Sequence, residues 1–535
     1  MSALQNKLYS VAQIKILDKL AIERQYAGNG FMLMQKAAQI AWEKIAELWP
    51  NHKNFIIFCG PGNNGGDGLV IARLALEKNN QVTAVLFAEA HEQALKDVKC
   101  LKDFKNLKLI TETNSPDYLN LLDVQSPTII VDAIFGIGLS SKPTTQDSDS
   151  SFLLAIDWIN KNNKNTKIFA VDIPSGLLAD TGAVYKSAVH ATATMTYIGL
   201  KPGLYTNDGP DYTGQLFFSD LDVTPAIYQQ VDHKAWLMTE DWVNKVKAKN
   251  LPKRAKNSHK HQYGHVVIIG GNNNMIGAVL MAGTAALRAG SGLVSLVTSF
   301  NINQNQPELM VYSYHDKAEN LLNLYKQATV FIIGPGLGNS KDSQSIFNRH
   351  LDLIVNNLDK IVNLKAVVID ADGLRFLADY NDYASASFKK LISLDKLVLT
   401  PHPGEARALL DNNININSDR FAAIEQIAEK YKATVILKGI GSLVFKPQQK
   451  AAVCPLGNPG MASAGMGDVL SGLVAALISQ STDSTDKSDN INNFNICCLA
   501  VYLHAKAADL QAKKYGERGL LATDLFQEFR KLLNL

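Results

Sequence analysis

The sequence predicts two consecutive open α/β domains. Short runs rich in Val, Ile and Phe alternate with Ala- and Leu-rich stretches of helical length, first across the N-terminal 220 residues or so and again from His265 onward. That alternation is the mark of parallel sheets covered by helices. Most of the apolar runs end in a glycine-rich or acidic turn, which is where such sheets bind ligands. Between the two series, Val223 to Val231 has little pattern. The boundary is therefore placed near residue 230, giving domains 1–230 and 231–535.

In chain order, Ser10 and Gln13 have capping-box spacing, and Val11, Ile14, Leu17 and Leu20 recur at helical intervals. An amphipathic helix opens the chain. A second helix is expected over about Phe31 to Leu48, then the strand Phe55 to Cys59, the loop Gly60-Pro-Gly-Asn-Asn-Gly-Gly-Asp-Gly68, and a helix from Leu69 to Lys78. Gly60, Gly62 and Gly65 satisfy GxGxxG, with Glu89 at the end of the next strand, so a dinucleotide fingerprint has to be weighed. Asn63-Asn64 and the Asp67 carboxylate count against it, because a pyrophosphate would be repelled there. Such a loop suits a cation held by Asn oxygen and carbonyls, whereas a plain βα turn explains only the glycines.

Two more strands, Thr128 to Asp132 and Ile168 to Asp172, lead into Ala-Ile-Phe-Gly136-Ile-Gly138 and Ile-Pro-Ser-Gly176. Asp67, Asp132 and Asp172 thus stand at strand exits and are expected to converge. Three carboxylates together require a cation or a bound proton. Ser140 to Ser151 is Ser/Asp-rich and reads as a mobile rim, and Gly214 to Asp222 as the last strand of this domain.

The second series begins after a short basic run, Lys253 to His261, which reads as a solvated loop. Strands follow at His265 to Gly271, Leu293 to Thr298, Thr329 to Ile333, Ala366 to Asp370, Leu397 to Thr400 and Thr434 to Leu437, with an Ala-rich helix over Gly277 to Ala289. The most informative stretch is GNPGMASAGMGDVLSG, from Gly457 to Gly472, where five glycines precede or enter the apolar run Val469 to Ile478. Gly465-Met-Gly467-Asp468 then sits at the N-terminus of a buried helix. Free backbone N–H groups and the helix dipole favour an anion there. Asp468 beside that anion hole is placed to take a proton from a hydroxyl during phosphoryl transfer. Ser479 to Asn495 reads as a polar surface insertion.

Composition narrows the ligand class. The 535 residues carry 53 basic and 50 acidic side chains, a balance that disfavours nucleic acid or a membrane surface as partner. The expected ligands are small molecules. Cys59, Cys100, Cys454, Cys497 and Cys498 make an odd set without CxxC spacing, so neither a disulfide framework nor a zinc site is expected. No secretory or membrane-spanning pattern is read, and a cytoplasmic homo-oligomer is expected.

GPGNNGGDG, VDAIFGIG and VDIPSG, followed by His190-Ala-Thr-Ala-Thr-Met195 and Gly199-Leu-Lys-Pro-Gly203, resemble the NAD(P)H-hydrate epimerase family. The resemblance implies a Rossmann-like domain that interconverts the R and S epimers of hydrated NADH and NADPH, with a bound potassium ion. By position, Asn64, Asp132 and Ser175 would hold potassium. Asn63, Asn64, Gly65, Gly66, Asp67, Gly136, Ile137, Gly138, Leu139, Ser140, Ser141, Lys142 and Asp172 would line the substrate pocket, with Asp172 as acid/base.

Gly277-Ala278, GPGLG (334–338), DADGL (370–374), TPHPGE (400–405), KGIGS (438–442), GNPGMASAGMGD, His504 and Gly519 to Leu525 resemble the ribokinase-like superfamily, most closely its NAD(P)H-hydrate dehydratase branch. The resemblance implies phosphorylation of the S-hydrate from ADP with magnesium, then loss of phosphate to restore NADH or NADPH. Lys438, Gly439, Ile440, Gly441, Ser442 and Gly467 would bind the nucleotide, and Ala278, Gly336, His402 and Asp468 the hydrate, with Asp468 as base. Read from the residues alone, His402 also suits a turn, Asp370 and Asp372 a helix cap, and Lys438 the surface. A hydroxyl kinase and a nucleotide-binding scaffold are the rival readings.

Overall fold

The computed structural model describes residues 6–87, 101, 104–111, 113, 116–124, 127–139, 149–272, 274–299, 306–380, 385–411, 415–482 and 493–534. Two compact units emerge, Met1–Trp236 and Leu237–Leu535. Each contains an open, largely parallel α/β sheet.

The first unit opens with β1 (Lys7–Leu8) and the helix Val11–Gln25, whose capping box forms as the Ser10–Gln13 spacing predicts. The helix Gly30–Leu48 follows. The sheet comprises β2 (Asn54–Cys59), β3 (Gln81–Leu86), β4 (Leu107–Ile110), β5 (Thr128–Ala133), β6 (Thr166–Val171), β7 (Ala193–Tyr197) and β8 (Gln215–Ser219). Their order is β4-β3-β2-β5-β6-β7-β8, with every pairing parallel. β9 (Ala235–Leu237) returns to pair antiparallel with β1, Leu8 opposite Ala235. Strand order reverses between β2 and β5, and that switch point is where a parallel sheet opens a crevice at its carboxyl edge.

One expectation changes here. The helix after β2 runs Asn63–Glu77 and so begins inside the supposed loop. Gly65, Gly66 and Gly68 are helical, and their lack of a side chain serves close packing. A Cβ on Gly65 would lie 1.8 Å from the Gly60 carbonyl oxygen, and one on Gly68 would lie 2.7 Å from the Ala133 Cβ. The helix is thereby seated hard against β2 and β5. The Ser140–Ser151 rim is shorter than expected, since Asp149 already begins the helix Asp149–Lys161. Residues 140–148, Glu89 and Cys100 lie outside the described residues.

The second unit strings together β10 (His265–Ile269), β11 (Leu293–Thr298), β12 (Met310–Ser313), β13 (Val330–Ile333), β14 (Ala366–Ile369), β15 (Leu397–Leu399), β16 (Thr434–Leu437), β17 (Leu443–Phe445) and β18 (Ala451–Val453). Their order is β18-β17-β16-β15-β14-β13-β10-β11-β12, parallel from β10 to β16 and antiparallel at β17 and β18. Here the reversal lies between β10 and β13. Across it packs the helix Met466–Gln480, apolar on nearly all sides and buried along most of its length. Its Gly472 lets it press on the helix Ile276–Arg288, because a Cβ there would stand 2.1 Å from the Ala282 carbonyl oxygen. Of the Ser479–Asn495 insertion, residues 483–492 lie outside the described residues, after which the long helix Asn493–Tyr515 begins.

Cys59, Cys454, Cys497 and Cys498 are buried free thiols. Among the described residues no helix is long and apolar enough to cross a membrane.

Candidate active sites

At the carboxyl edge of the first sheet, a cavity of about 760 Å³ is lined by Asn63, Asn64, Asp67, Gly136, Ile137, Gly138 and Asp172 from the expected set. Gly65 and Gly66 lie within the helix behind it, Leu139 falls just off its wall, and Ser140, Ser141 and Lys142 lie outside the described residues. Asp18, Tyr197 and Lys201 also face the cavity. None of those three was singled out from the sequence.

Asp172 follows β6 with φ +68°, in the left-handed region that Asp tolerates better than most residues. Its N–H donates to the Met195 carbonyl at 2.7 Å, which fixes the turn. The carboxylate accepts from Lys201 Nζ at 2.5 Å and from Thr196 Oγ1 at 3.3 Å. Lys201, only 1% exposed, completes its hydrogen bonds with Thr196 Oγ1 at 2.8 Å and the Tyr197 carbonyl at 3.0 Å. The ammonium is thus caged, with Asp172 as its counter-ion.

Neighbouring acids respond to burial and to that carboxylate. Burial, with Asp172 and Asp18 nearby, holds Asp67 well above the usual carboxylate range. Burial pushes Asp18 up to about 7, with Lys201 opposing and Asp172 reinforcing the shift. The Tyr197 hydroxyl is raised by burial, then by Asp67 and Asp172, and finds no hydrogen-bond partner among the described residues.

Asp132 does not join Asp67 and Asp172 in the cavity wall. It is fully buried behind it, accepting from Ser175 Oγ at 2.5 Å and from the Ser175 N–H at 2.8 Å. Burial pushes it up to about 6 against those hydrogen bonds. Asn64 is buried as well, and neither its oxygen nor its amide nitrogen has a partner among the described residues. A buried side-chain amide with nothing to bond is costly. An oxygen-seeking cation satisfies such an oxygen, so Asn64, Asp132 and Ser175 fit a monovalent ion by their chemistry.

In the second unit the strand exits are tied to one another. The Gly271 N–H donates to the Pro335 carbonyl and the Asn272 N–H to the Gly336 carbonyl, and the Gly338 N–H donates to Asp372 Oδ2 at 2.8 Å. Gly336, at φ +62°, leaves room for Ala278, whose Cβ would be 3.1 Å from an added one. His402 caps the helix Pro403–Leu409, Nδ1 accepting from the Gly404 N–H at 2.9 Å, with its ring half exposed.

Lys438 is largely enclosed, its side chain 16% exposed, and is not a surface residue. Its ammonium donates to Asp370 Oδ1 at 2.8 Å and stands 3.5 Å from Glu405 Oε2. Asp370, 1% exposed, also accepts from Ser471 Oγ. Burial alone would raise its pKa, but Lys438, Ser471 and Thr400 outweigh burial and hold it below the usual range. Asp468, in the first turn of the Met466–Gln480 helix, is pushed up to about 7 by burial and then by Asp370. The Lys438 Nζ lies 3.3 Å from where a Gly467 Cβ would be. Lysine, helix N-terminus and raised carboxyl therefore meet at one point.

Two supporting residues had no motif to reveal them. Arg420, 3% exposed, donates to the Ile440 carbonyl at 2.8 Å and to the Leu437 and Lys438 carbonyls at 3.2 Å. A Cβ on Gly439, at φ +133°, would lie 2.8 Å from its guanidinium. Asp509 accepts from the Gly457 N–H at 3.1 Å and Asn458 Nδ2 at 2.8 Å, holding the GNPG turn.

Removing one partner of a buried ion pair leaves a charge unmet. Asp172→Asn should cost the first unit about 3 kcal/mol, seen as a lower urea midpoint, and the added change Lys201→Met should recover part of it. Equal midpoints for wild type and Asp172→Asn would refute the caged-lysine account.

Residues 30–203 match the family model for the YjeF-related protein N-terminus, and residues 266–531 match that for NAD(P)H-hydrate dehydratase. A bifunctional NAD(P)H-hydrate repair enzyme of Coxiella burnetii is 38% identical over 98% of this chain and 99% of its own. One of Escherichia coli is 35% identical over 94% and 90%. Among solved structures, a ribokinase-like superfamily protein from Enterococcus faecalis is 26% identical, with a TM-score of 0.46 over 56% of this chain and 95% of that one. With two consecutive domain matches and end-to-end identity of this order, the chain belongs to the family of bifunctional NAD(P)H-hydrate repair enzymes.

Proposed function

We propose that the first unit interconverts the R and S epimers of hydrated NADH and NADPH, and that the second phosphorylates the S-hydrate from ADP and expels phosphate, leaving AMP and the restored cofactor. The observation that carries this reading is the pairing of two different centres on one chain. One is a cavity of acid/base groups around Lys201; the other is a helix N-terminus with Lys438 and Asp468, suited to phosphoryl transfer.

In the first unit, Asn63, Asn64, Asp67, Gly136, Ile137, Gly138 and Asp172 bind the hydrate, with Asp172 exchanging protons at the hydrated carbon. Asn64, Asp132 and Ser175 hold a potassium ion. The unpartnered Asn64 amide supports that assignment. The ion supplies positive charge beside an anionic ligand, while Asp132 keeps Ser175 in place.

In the second unit, Ala278, Gly336, His402 and Asp468 receive the hydrate, and Lys438 to Ser442 with Gly467 receive the nucleotide. The Met466–Gln480 N-terminus neutralises the transferred phosphoryl group, and Asp468 accepts the hydroxyl proton. Magnesium enters with the phosphates, as that ion usually does. Among the described residues no cluster of three His, Cys, Asp or Glu forms a cage for it in advance.

The direct test is recovery of reduced-nicotinamide absorbance from mixed R- and S-hydrate with ADP or ATP. Wild type should recover all of it with ADP and Asp468→Asn almost none, a loss of at least about 100-fold. Because the base must be ionised, wild-type turnover should climb as pH rises through about 7 and fall away below it. No recovery with either nucleotide would leave a kinase or scaffold.

Replacing potassium by lithium should slow epimerisation severalfold while S-hydrate dehydration is unchanged. An unchanged epimerisation rate would count against the cation site.

Arg420→Met should raise the KM for nucleotide about tenfold, through a loosened Lys438–Ile440 loop, with epimerisation intact. A loss in kcat alone would contradict that positioning role.

A further inference from the structure

Hydrating a dihydronicotinamide places the hydroxyl on a ring carbon bonded to the ring nitrogen. To invert that carbon by loss and return of water, the C–O bond has to break on one face and reform on the other. One side chain must protonate the departing hydroxyl, and a second must take a proton from the incoming water. On the epimerase reading Asp172, which lines the cavity, receives a proton. The site needs a donor as well.

We propose that the Asp18 carboxyl, facing the same cavity from the helix Val11–Gln25, is the second catalytic residue of the epimerase site and the acid that protonates the departing hydroxyl. The proposal rests on the epimerase reading and deepens it. Asp18 and Asp172 reach the cavity from different elements, the first helix and the exit of β6. No hydrogen bond or ion pair among the described residues ties the Asp18 carboxyl. It interrupts an apolar stripe in which Ile14 and Ile22, four residues to either side, line the same wall. A helix interior offers nothing to an acid there, and the cavity does.

The neighbouring charges suit the role. Asp67, Asp172 and Lys201 face Asp18 from the sheet side, the Tyr228 phenol lies nearby, and Lys15, Lys19 and Glu23 border it on its own helix. Burial, with Asp172 and Asp18 nearby, holds the Asp67 carboxyl well above the usual range. Asp18, at about 7, is matched to neutral pH.

The step balances. The Asp18 proton passes to the hydroxyl oxygen, and the C–O bond breaks with its electron pair leaving in the water formed. The nitrogen lone pair closes a C=N bond. Water then adds to the opposite face, the C=N pair returns to nitrogen, and the surplus proton goes to Asp172. The reverse epimerisation exchanges the two roles.

The test follows R-to-S conversion by NMR without nucleotide, on the full chain, with S-hydrate dehydration as the control for folding. Asp18→Asn should lose about 100-fold or more in kcat, with KM within about threefold and dehydration unchanged. The wild-type decline in rate above about pH 7 should vanish in Asp18→Asn and persist in Asp18→Glu, which keeps an acid. In ¹⁸O-water each inversion by wild type should introduce one labelled hydroxyl. Inversion without label, a loss confined to KM, a rate for Asp18→Asn above a third of wild type, or Glu and Asn variants alike in pH profile would each overturn the proposal. A wild type that does not epimerise at all would instead overturn the epimerase reading.

Discussion

A lysine ammonium taken out of water has to be met by a carboxylate, and both units meet that demand at the carboxyl edge of their sheets. Lys201 is caged by Asp172, Thr196 and the Tyr197 carbonyl; Lys438 is held by Asp370 with Glu405 beside it. Breaking such a pair costs several kcal/mol, because the remaining charge has no water to turn to. The surrounding turns are therefore not free to drift. Asp172 accepts a left-handed backbone to reach its lysine, and Asp370 is braced by Ser471 from the buried helix.

Close backbone approach is the second constraint, and it explains where the glycines lie. Gly65 and Gly68 let a helix touch the exits of β2 and β5, so that Asn63 and Asn64 open directly onto the cavity. Gly472 brings the Met466–Gln480 helix onto its neighbour, so that its N-terminus ends beside Lys438. In both units the groups at the sheet edge are placed by packing a few residues away.

Much of this was legible in the chain. Apolar runs ending in Asp or Gly announced parallel strands with ligand-binding exits, because a fully buried strand must shed its polar groups at its ends. The place of Asp468 in the first turn of a buried helix was legible because glycines crowded that helix's start. Reading Asn63 to Gly68 as loop failed because glycine's low helix propensity was overridden by packing that only the three-dimensional fold reveals. Lys201 and Arg420 were missed for a related reason: a buried cation and a surface cation look alike until the carbonyls and carboxylates around them are known. Asp18 did leave a trace, as an acid at i+4 from Ile14 and i−4 from Ile22 on an otherwise apolar stripe. Asp132 was found but misplaced, since its strand-end position gave no sign that Ser175 would turn it inward.

The carboxyls of each centre divide into two kinds, and the division follows from what each one faces. Asp370 faces an ammonium and two hydroxyls, so its charge is favoured despite burial and it stays ionised as a structural anion. Asp468 is held in a buried position and faces that same anion, so its own charge is resisted until about neutral pH. Asp370, held low by its lysine, keeps its charge, whereas a carboxyl raised to about 7, as Asp468 is, exchanges protons with little driving force in either direction. Burial is thus the larger cause of the Asp468 shift, and the Asp370 carboxylate adds to it while Lys438 opposes it. In the first unit burial raises both Asp18 and Asp67, the Asp172 carboxylate adds to each shift, and Lys201 opposes it at Asp18. Burial and the ion pair at each sheet edge act together to set the neighbouring acids apart from one another.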